Sequence, residues 1–298
     1  MKRLDFIGIG AQKAGTTWLY KMLDLHPQVS FGKKKEICFF NDNKSFYNRQ
    51  IQGNFHKGLG WYYKQLDLKE GYVNGEISPD YMWDEKAAKR IKKYFPRTKI
   101  IAILRNPVDR AYSHYQFASQ KYFVGRSFEE GMQKYPEFLE RGLYYRQLKR
   151  YLDLFSHEQI KIVIFENIVK DPESVLFDIE DFLGIERFIP DTIGKKENVT
   201  RSARSISLLR LVTHIHSIKT TWVGRLLWRN RYFIKVIRSL NRGLRRINLK
   251  NNERVPIPDS TRKKLYKYYR KDINMLEDAI GIDLSLWRED EKIKKDKS

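Results

Sequence analysis

Cysteine is almost absent from this sequence, which excludes a disulfide-stabilised scaffold. Cys38 is the only cysteine among 298 residues, so no disulfide can form within the chain. Proline and glycine are also sparse, with 9 and 17 residues, and we find no internal repeat or low-complexity tract. The composition predicts an ordinary globular protein with one hydrophobic core, or one core and an appendage.

Long hydrophobic runs are missing as well. No uninterrupted apolar stretch approaches the ~18 residues that a membrane-spanning helix needs. The N-terminus leads directly into a strand pattern, without the apolar region of a secretory signal. We therefore expect a cytoplasmic protein, with disorder only in the lysine-rich tail 291–298.

Positive charge is in large excess. The sequence has 58 Lys and Arg against 36 Asp and Glu, a formal net charge of +22. Such a field attracts nucleic acids, anionic membranes, or anionic substrates and cofactors. Charge alone does not choose among these partners. Because no recognised nucleic-acid-binding motif is present, we predict no specific nucleic-acid partner.

Short apolar runs alternate with amphipathic segments up to about residue 204. The predicted strands are 4–9, 71–76, 99–104 and 160–165, and the predicted helices are 16–25, 85–94, 109–120, 145–155 and 174–183. Strands that alternate with helices indicate a parallel sheet with helices on both faces. The predicted fold class is α/β, with a central parallel sheet flanked by helices and a C-terminal helical cap.

The pattern changes after this region. From 205 to 250 apolar residues alternate with Arg and Lys, and we see no strand pattern. We predict a core over 1–204, a basic helical insert over 205–250, and a helix within 251–290 that completes the same domain. The insert is open to three interpretations: a packed helical cap, a surface that docks on anionic membrane, or a basic trough for an acidic saccharide.

A glycine loop follows the first predicted strand. Residues 10–17 read GAQKAGTT, which has the spacing G-x-x-x-x-G followed by hydroxyl side chains. The glycines let the backbone turn tightly toward an anion, and the helix that begins near Thr16 adds its positive end. The loop therefore predicts a P-loop-like fold that cradles the phosphate-type end of a nucleotide.

The loop departs from the pattern of nucleoside triphosphate binding. That pattern has Lys directly after the second glycine and a Ser or Thr that holds Mg²⁺. Here Thr16 takes the lysine position, and Lys13 lies inside the loop. Lys13 can still neutralise an anionic oxygen, but the arrangement for Mg²⁺ is missing. We expect no metal cofactor, and a P-loop-related nucleotide kinase or hydrolase is the alternative function.

A second anion-binding pattern begins where the strand 99–104 ends. Residues 105–115 read RNPVDRAYSHY. Ligands of open parallel sheets bind at the carboxyl ends of strands, so Arg105 should face the binding crevice. Ser113 follows two helical turns later, where its hydroxyl can share a phosphate with the guanidinium. The structural alternative is a capped helix with a surface arginine and an exposed serine.

Together these segments resemble a known family. QKAGTTWL followed by LRNPVDRAYSHY looks like the two nucleotide signatures of the sulfotransferases that use 3′-phosphoadenosine 5′-phosphosulfate (PAPS). LDLHPQV, KEICFF, GEISPDYM, QLKRYLDLF, IVIFENIVKDPE and FLGI match that family's usual order. RKDINMLEDAIGIDLSLW resembles the closing segment of its bacterial members. The resemblance covers nearly the whole chain except the basic insert, and it is greatest for the bacterial and heparan-type carbohydrate branch.

The resemblance implies a donor site. The 5′-phosphosulfate would be held by Lys13, Ala14, Gly15, Thr16, Thr17 and Trp18. Arg105 and Ser113 would hold the 3′-phosphate, with Arg201 and Arg204 as further candidates for it. PAPS would be the co-substrate, and 3′-phosphoadenosine 5′-phosphate (PAP) would be the product. A cysteine pair that some relatives carry near the segment 197–204 cannot form here.

The resemblance also implies a catalytic base. KEICFF is similar to the stretch that carries the carboxylate base of the heparan-type branch, so Glu36 is the candidate base, and Lys13 is the candidate catalytic cation. A hydroxyl that attacks sulfur must lose its proton, and a positioned carboxylate can accept it. The lysines at 33–35 would keep that carboxylate ionised and attract anionic ligands. A surface salt bridge is the alternative role of Glu36.

Other residues fit the resemblance less well. The heparan-type branch has a lysine after the glutamate of the GEISP segment, whereas this chain has Ile77, and one of the lysines at 33–35 is the candidate substitute. We expect His114 to support the phosphate site and Glu166 to be structural, while His56 has no matching context.

The predicted reaction is transfer of the sulfuryl group to a hydroxyl of a carbohydrate, glycolipid or small-molecule acceptor. A contact of 205–250 with anionic membrane would place the protein at the inner membrane face. Acceptor choice in this family lies in loops and inserts, so the acceptor is predicted only as a class.

Overall fold

The structure is a computed structural model that describes residues 3–33, 35–42, 53–120, 122–194, 201–203, 249–251 and 256–288. The chain divides into two compact units. The first comprises Met1–Ala111, Leu139–Glu197 and Arg262–Ser298, and the second comprises Tyr112–Phe138 and Asn198–Thr261. All of the predicted strands belong to the first unit.

A five-stranded parallel sheet lies in the first unit. Its strands, in the order β2-β3-β1-β4-β5, are β1 (Phe6–Gly10), β2 (Val29–Phe31), β3 (Val73–Ile77), β4 (Lys99–Leu104) and β5 (Ile160–Ile164). The pairings within this sheet are all parallel. This confirms the predicted α/β fold with a central parallel sheet.

The central strand β1 and its neighbour β4 are apolar because helices cover both faces of the sheet. Every residue of β1 is buried, and residues 100–104 of β4 are fully buried. The ring of Phe6 fills the space left by Gly75 on the neighbouring strand. It also meets Phe31 edge-on, with ring centroids 5.6 Å apart.

The described helices agree with the main helical predictions. In chain order they are α1 (Thr16–Asp24), α2 (Gly58–Gln65), α3 (Ala87–Tyr94), α4 (Pro107–Ser119), α5 (Phe128–Lys134), α6 (Glu137–Glu140), α7 (Tyr144–Leu152), α8 (Phe165–Lys170), α9 (Pro172–Leu183) and α10 (Asp259–Ile280). None of them combines the length and apolar character that a bilayer-spanning helix requires.

The second unit contains α5 and a small antiparallel ribbon. Ser127 caps α5 by accepting a hydrogen bond from the Glu130 amide at 3.2 Å. The ribbon pairs β6 (Arg201–Ala203) with β7 (Leu249–Asn251). No strand pattern was seen over 205–250 in the sequence, whereas β7 includes residues 249 and 250 of that range. Apart from residues 249 and 250, the predicted basic helical insert 205–250 lies outside the described residues, as does the tail 291–298.

Candidate functional site

The loop between β1 and α1 turns sharply at the carboxyl end of the sheet. Lys13 and Gly15 have φ values of 69° and 109°, in the left-handed region that residues other than glycine rarely adopt. A Cβ at position 15 would lie 2.9 Å from Cδ2 of Phe165. Position 15 therefore has neither the conformation nor the space for a side chain.

The N-terminus of α1 faces this loop. Gly15 occupies the N-cap position, where no side-chain hydrogen bond caps the helix. The amides of Trp18 and Leu19 donate to the Gly15 carbonyl at 2.9 and 3.2 Å, and the amides of Thr16 and Thr17 precede them. The first amides of a helix lack intrahelical partners and carry the positive end of its dipole. They suit an anion.

Two buried polar atoms at the loop indicate whether this site suits a nucleotide. Gln12 Oε1 and Trp18 Nε1 are buried and have no hydrogen-bond partner in the part of the chain that the structure describes. Leaving such an atom unpaired costs about 1–3 kcal/mol. A nucleotide carries both donors and acceptors, so these atoms and the glycine cradle fit such a ligand.

Arg105 reaches the loop from the carboxyl end of β4. Its Nη1 donates to the Lys13 carbonyl at 3.4 Å, and its Cζ lies 4.7 Å from the ring centroid of Phe165. Tyr144 donates its hydroxyl to the Arg105 carbonyl at 2.8 Å. Arg105 is 9% exposed. The structure thus brings together Lys13 and Arg105, which the sequence assigned to the two ends of one nucleotide.

The start of α4 holds the backbone that follows Arg105. Asn106 Oδ1 accepts the Val108 amide at 3.0 Å and so caps the helix. Glu166 accepts the Asn106 amide through Oε1 at 3.0 Å and the Trp287 indole N–H through Oε2 at 3.2 Å. Both carboxylate oxygens of Glu166 are therefore engaged, in agreement with its predicted structural role.

The other predicted phosphate-site residues lie in the second unit. Ser113 is half-buried on α4. His114 on the same helix is fully buried, and its ring meets Phe138 edge-on at 4.9 Å. Arg201 begins β6, and Arg204 lies outside the described residues. The structure therefore leaves the assignment of Ser113, Arg201 and Arg204 to a phosphate as a prediction from the sequence.

Glu36 belongs to a segment that is attached to the end of β3. Three backbone amides make this attachment: Glu36 to the Ile77 carbonyl at 3.0 Å, Cys38 to Ser78 Oγ at 3.0 Å, and Phe39 to Tyr81 Oη at 2.8 Å. The side chain of Glu36 is 50% exposed. These bonds join the stretches KEICFF and GEISPDYM into one structure and leave the carboxylate accessible.

The exposed His56 lies in the 3₁₀ helix Phe55–Lys57.

Aromatic packing anchors the segment that carries Glu36. Phe39 stacks on Tyr62 with ring centroids 4.4 Å apart and an interplanar angle of 15°. Phe40 meets Tyr62 and Tyr81 at 5.1 and 5.5 Å, and both phenylalanines are fully buried. The segment thus combines a buried aromatic anchor with a charged end.

Lys35 connects Glu36 with α1. Its Nζ lies 3.1 Å from Thr17 Oγ1 and 3.1 Å from Glu36 Oε1. The Lys35 side chain is 20% exposed. An ion pair of this exposure contributes ~1 kcal/mol or less to stability. Its main effect is therefore to hold the Lys35 ammonium and the Glu36 carboxylate next to each other. Around one loop, contacts thus join Lys13 with Arg105, and Thr17 with Lys35 and Glu36.

Two other titratable groups near this segment are unsuited to catalysis. Burial raises the pKa of the Cys38 thiol, which disfavours a reactive thiolate. Glu76 is 2% exposed, and burial raises its pKa although hydrogen bonds from Tyr62, Tyr81 and Ser78 oppose the change. The Glu36 carboxylate, in contrast, is accessible to solvent.

Sequence reasoning missed three of these contacts: Lys35 with Thr17, Phe165 with Arg105, and Tyr144 with Arg105. Phe165 begins the stretch FENIVKDP, which the resemblance already included, so a signal for it existed. The lysine contact carried no such signal, because three consecutive lysines at 33–35 are equivalent in the sequence.

The comparisons with known proteins point to sulfotransferases. A family model described as "Sulfotransferase domain" matches residues 3–208. The curated relatives include the bifunctional heparan sulfate N-deacetylase/N-sulfotransferase 4 of Mus musculus, which is 32% identical over 202 residues, 60% of this chain and 22% of that protein. They also include the membrane-associated sulfotransferase kil1 of Dictyostelium discoideum, 26% identical over 274 residues, 61% of this chain and 56% of that protein. The chain thus spans about a fifth of the length of the first relative.

Among solved structures, the fold is similar to that of a sulfotransferase from Alicyclobacillus acidocaldarius. The TM-score is 0.64 and the sequence identity is 26%, with 96% of this chain and 99% of the other chain covered. The similarity therefore extends over nearly the full length of both proteins.

Proposed function

This chain belongs to the sulfotransferase domain family, whose model matches residues 3–208, and we propose that it transfers a sulfuryl group from PAPS to an acceptor hydroxyl. The acceptor class is a carbohydrate, a glycolipid or a small molecule. One observation carries the proposal: a glycine loop at a helix N-terminus has Arg105 bound to its Lys13 carbonyl and Lys35 bridging its Thr17 hydroxyl to Glu36.

The loop supplies the donor's 5′-phosphosulfate site in this proposal. Lys13 neutralises phosphosulfate oxygens, and the amides of the α1 N-terminus bind them. Ala14 is fully buried and Gly15 has no room for a side chain, so these positions act through their backbone. The indole N–H of Trp18 has no hydrogen-bond partner among the described residues, and the proposal assigns this donor to the nucleotide.

The proposed 3′-phosphate site uses Arg105 and Ser113. Phe165 and the Lys13 carbonyl hold the Arg105 guanidinium at the loop, and a guanidinium binds phosphate in a bidentate manner. Ser113 is assigned by its place in RNPVDRAYSHY, and Arg201 and Arg204 are further candidates by their place in the segment 197–204.

Glu36 is the proposed general base. The acceptor oxygen forms a bond to sulfur as the bond between sulfur and the bridging phosphate oxygen breaks, and Glu36 takes the hydroxyl proton. Lys13 and the α1 amides stabilise the negative charge that develops on the departing phosphate. A positioned base contributes ~10²–10⁴ to the rate.

A saccharide is the acceptor class that the relatives favour. The names of several curated relatives include heparan sulfate, and KEICFF resembles the stretch that carries the base in the heparan-type branch. Because those names specify N-sulfotransferases, an acceptor screen should include amines as well as hydroxyls.

The test is an acceptor screen with radiolabelled PAPS, read by the mass shift of the product, together with PAP binding to variants. We expect Lys13→Ala and Arg105→Ala to weaken PAP binding roughly 10-fold or more, because each removes a charged phosphate partner. Glu36→Gln should retain binding but lose ~10²–10⁴ in turnover. The exposed Glu70 gives a matched control, Glu70→Gln, that should change neither quantity.

The outcomes separate the parts of the proposal. Normal turnover by Glu36→Gln would reject the assigned base, and wild-type protein that binds neither PAP nor PAPS would reject the donor. Transfer that persists in EDTA without ATP consumption would rule out the alternative, a P-loop-related nucleotide kinase or hydrolase.

A further inference from the structure

Sulfuryl transfer at this site has an electrostatic difficulty. The donor's sulfonate is anionic, and the proposed base Glu36 is a carboxylate. Both must approach the acceptor oxygen, so two negative charges come close together at the protein surface, where their repulsion is stronger than in bulk water. A cation between them would offset that repulsion.

The end of β3 does not supply such a cation. Ile77 is 1% exposed, and its side chain fills the space beside Gly8, where an added Cβ would lie 2.8 Å from Ile77 Cγ1. The backbone at Ile77 is occupied too, because its carbonyl accepts the Glu36 amide at 3.0 Å. That bond brings the neighbouring segment, which includes Lys35, to the same place.

Lys35 has the required position. Its Nζ lies 3.1 Å from Thr17 Oγ1, at the start of the helix that faces the phosphosulfate loop, and 3.1 Å from Glu36 Oε1. The Lys35 side chain is 20% exposed, so the ammonium is largely shielded while the carboxylate beside it is 50% exposed. The ammonium therefore lies between the loop and the carboxylate.

We propose that Lys35 contacts the sulfonate of bound PAPS and shields it from the Glu36 carboxylate. The ammonium has three N–H donors, which allows it to bind Thr17, Glu36 and a sulfonate oxygen together. Lys13 acts on the phosphate side of the scissile bond and Lys35 on the sulfonate side. This inference rests on the proposed function, because it presupposes PAPS at the loop.

The neighbouring Lys33 provides a matched control. Lys33 is exposed, and its amide donates to the Gln65 carbonyl at 2.9 Å, which attaches its backbone near the end of α2. Replacing Lys33 or Lys35 by Gln removes the same charge from the same loop. A difference between the two variants therefore reports the position of the ammonium rather than the net charge.

The experiment measures equilibrium dissociation constants of PAPS and of PAP by calorimetry, so no acceptor is needed. We expect Lys35→Gln to weaken PAPS roughly 10-fold or more, the effect of losing a hydrogen bond to a charged group. PAP lacks the sulfonate, so its affinity should change less than ~3-fold. Lys35→Arg should restore most of the PAPS affinity, Lys33→Gln should leave both constants unchanged, and Glu36→Gln should bind PAPS at least as tightly as wild type.

Several results would overturn the inference. Equal losses of PAPS and PAP affinity in Lys35→Gln would show that Lys35 only supports the loop. Unchanged PAPS affinity, or the same loss in Lys33→Gln, would show that this ammonium does not contact the sulfonate. If the wild-type protein bound neither nucleotide, the proposed function itself would fail, which is a distinguishable result. Thermal unfolding of each variant checks that it is folded.

Discussion

At the scale of single residues, Glu36 and Glu76 show how burial assigns different chemistry to the same side chain. Their segments are joined, because the Glu36 amide donates to the carbonyl of Ile77, the residue after Glu76. Yet the Glu36 side chain is 50% exposed, whereas Glu76 is 2% exposed and accepts the Tyr62 hydroxyl at 2.6 Å. Only the first can meet an acceptor.

Glu76 should make stability depend on pH. Burial, the largest cause, raises its pKa above the usual 4.5. Between the unfolded and the raised folded pKa, the folded carboxyl holds a proton that the unfolded chain has released. The free energy of unfolding therefore falls as pH rises through that interval.

The variant Glu76→Gln tests this effect. Its amide oxygen can still accept the Tyr62 hydroxyl, and it does not titrate. We expect its stability relative to wild type to improve as pH rises from about 4 to about 8, measured by urea unfolding at each pH. Glu70→Gln, at an exposed position, serves as the control, and its stability relative to wild type should change little with pH. If the difference in unfolding free energy between Glu76→Gln and wild type stayed constant with pH, the prediction would be contradicted.

At the scale of elements, the boundaries of α9 have clear local causes. Asp171 caps the helix by accepting the Ser174 amide at 3.1 Å, and Pro172 occupies the first turn, where no N–H is needed. Gly184 ends the helix with φ of 76° and ψ of 40°, the left-handed conformation that glycine adopts without a Cβ penalty.

Replacing Gly184 should measure that penalty by itself. No atom lies within 4 Å of a Cβ added there, so Gly184→Ala changes the backbone strain without a clash. We expect a loss of about 1 kcal/mol in the free energy of unfolding for Ala, and a smaller loss for Asn, which tolerates this conformation better. Urea unfolding gives both values. Equal losses for Ala and Asn would argue against a conformational cause.

Short elements were the ones that sequence patterns did not predict. The strand β2 has 3 residues and the helix α8 has 6, which is too short for a period of two or of 3.6 residues to be recognised. The predicted strand 160–165 was one residue too long. Phe165 has an apolar side chain that suits a strand, but it is the first residue of α8. That residue then packs against Arg105 and Gly15.

At the scale of the whole molecule, the net charge of +22 would attract an anionic membrane as well as an anionic nucleotide. The basic segment 205–250 carries both cationic and aromatic residues, including Trp222 and Trp228. We propose that it lies on anionic membrane, which would make the protein peripheral to the inner membrane face.

Vesicle sedimentation tests this proposal with the full chain. We expect pelleting with vesicles of phosphatidylcholine and phosphatidylserine at low salt, loss of binding at about 1 M salt, where charges are screened within ~3 Å, and little pelleting with phosphatidylcholine alone. Replacing Trp222 and Trp228 by Ser should weaken the binding. If nothing pellets with the anionic vesicles, the segment is a packed cap or a trough for an acidic saccharide instead.

The sequence by itself determined the parallel α/β core, its glycine loop and the family of this protein. Each of these depends on local patterns: apolar runs such as KIIAIL, the G-x-x-x-x-G spacing, and the order of the motifs along the chain. The same patterns are sufficient to select Lys13, Arg105 and Glu36 as candidate site residues, because each of them lies inside a motif.

The tertiary structure alone decided which lysine accompanies Glu36. Three consecutive lysines have the same charge and the same local context, so no pattern separates them. Anchoring of the segment to Ile77 and Tyr81 orients its side chains and brings the Lys35 ammonium to Thr17 on α1. Such contacts join residues that are distant in the chain, and the packing of the folded chain determines them.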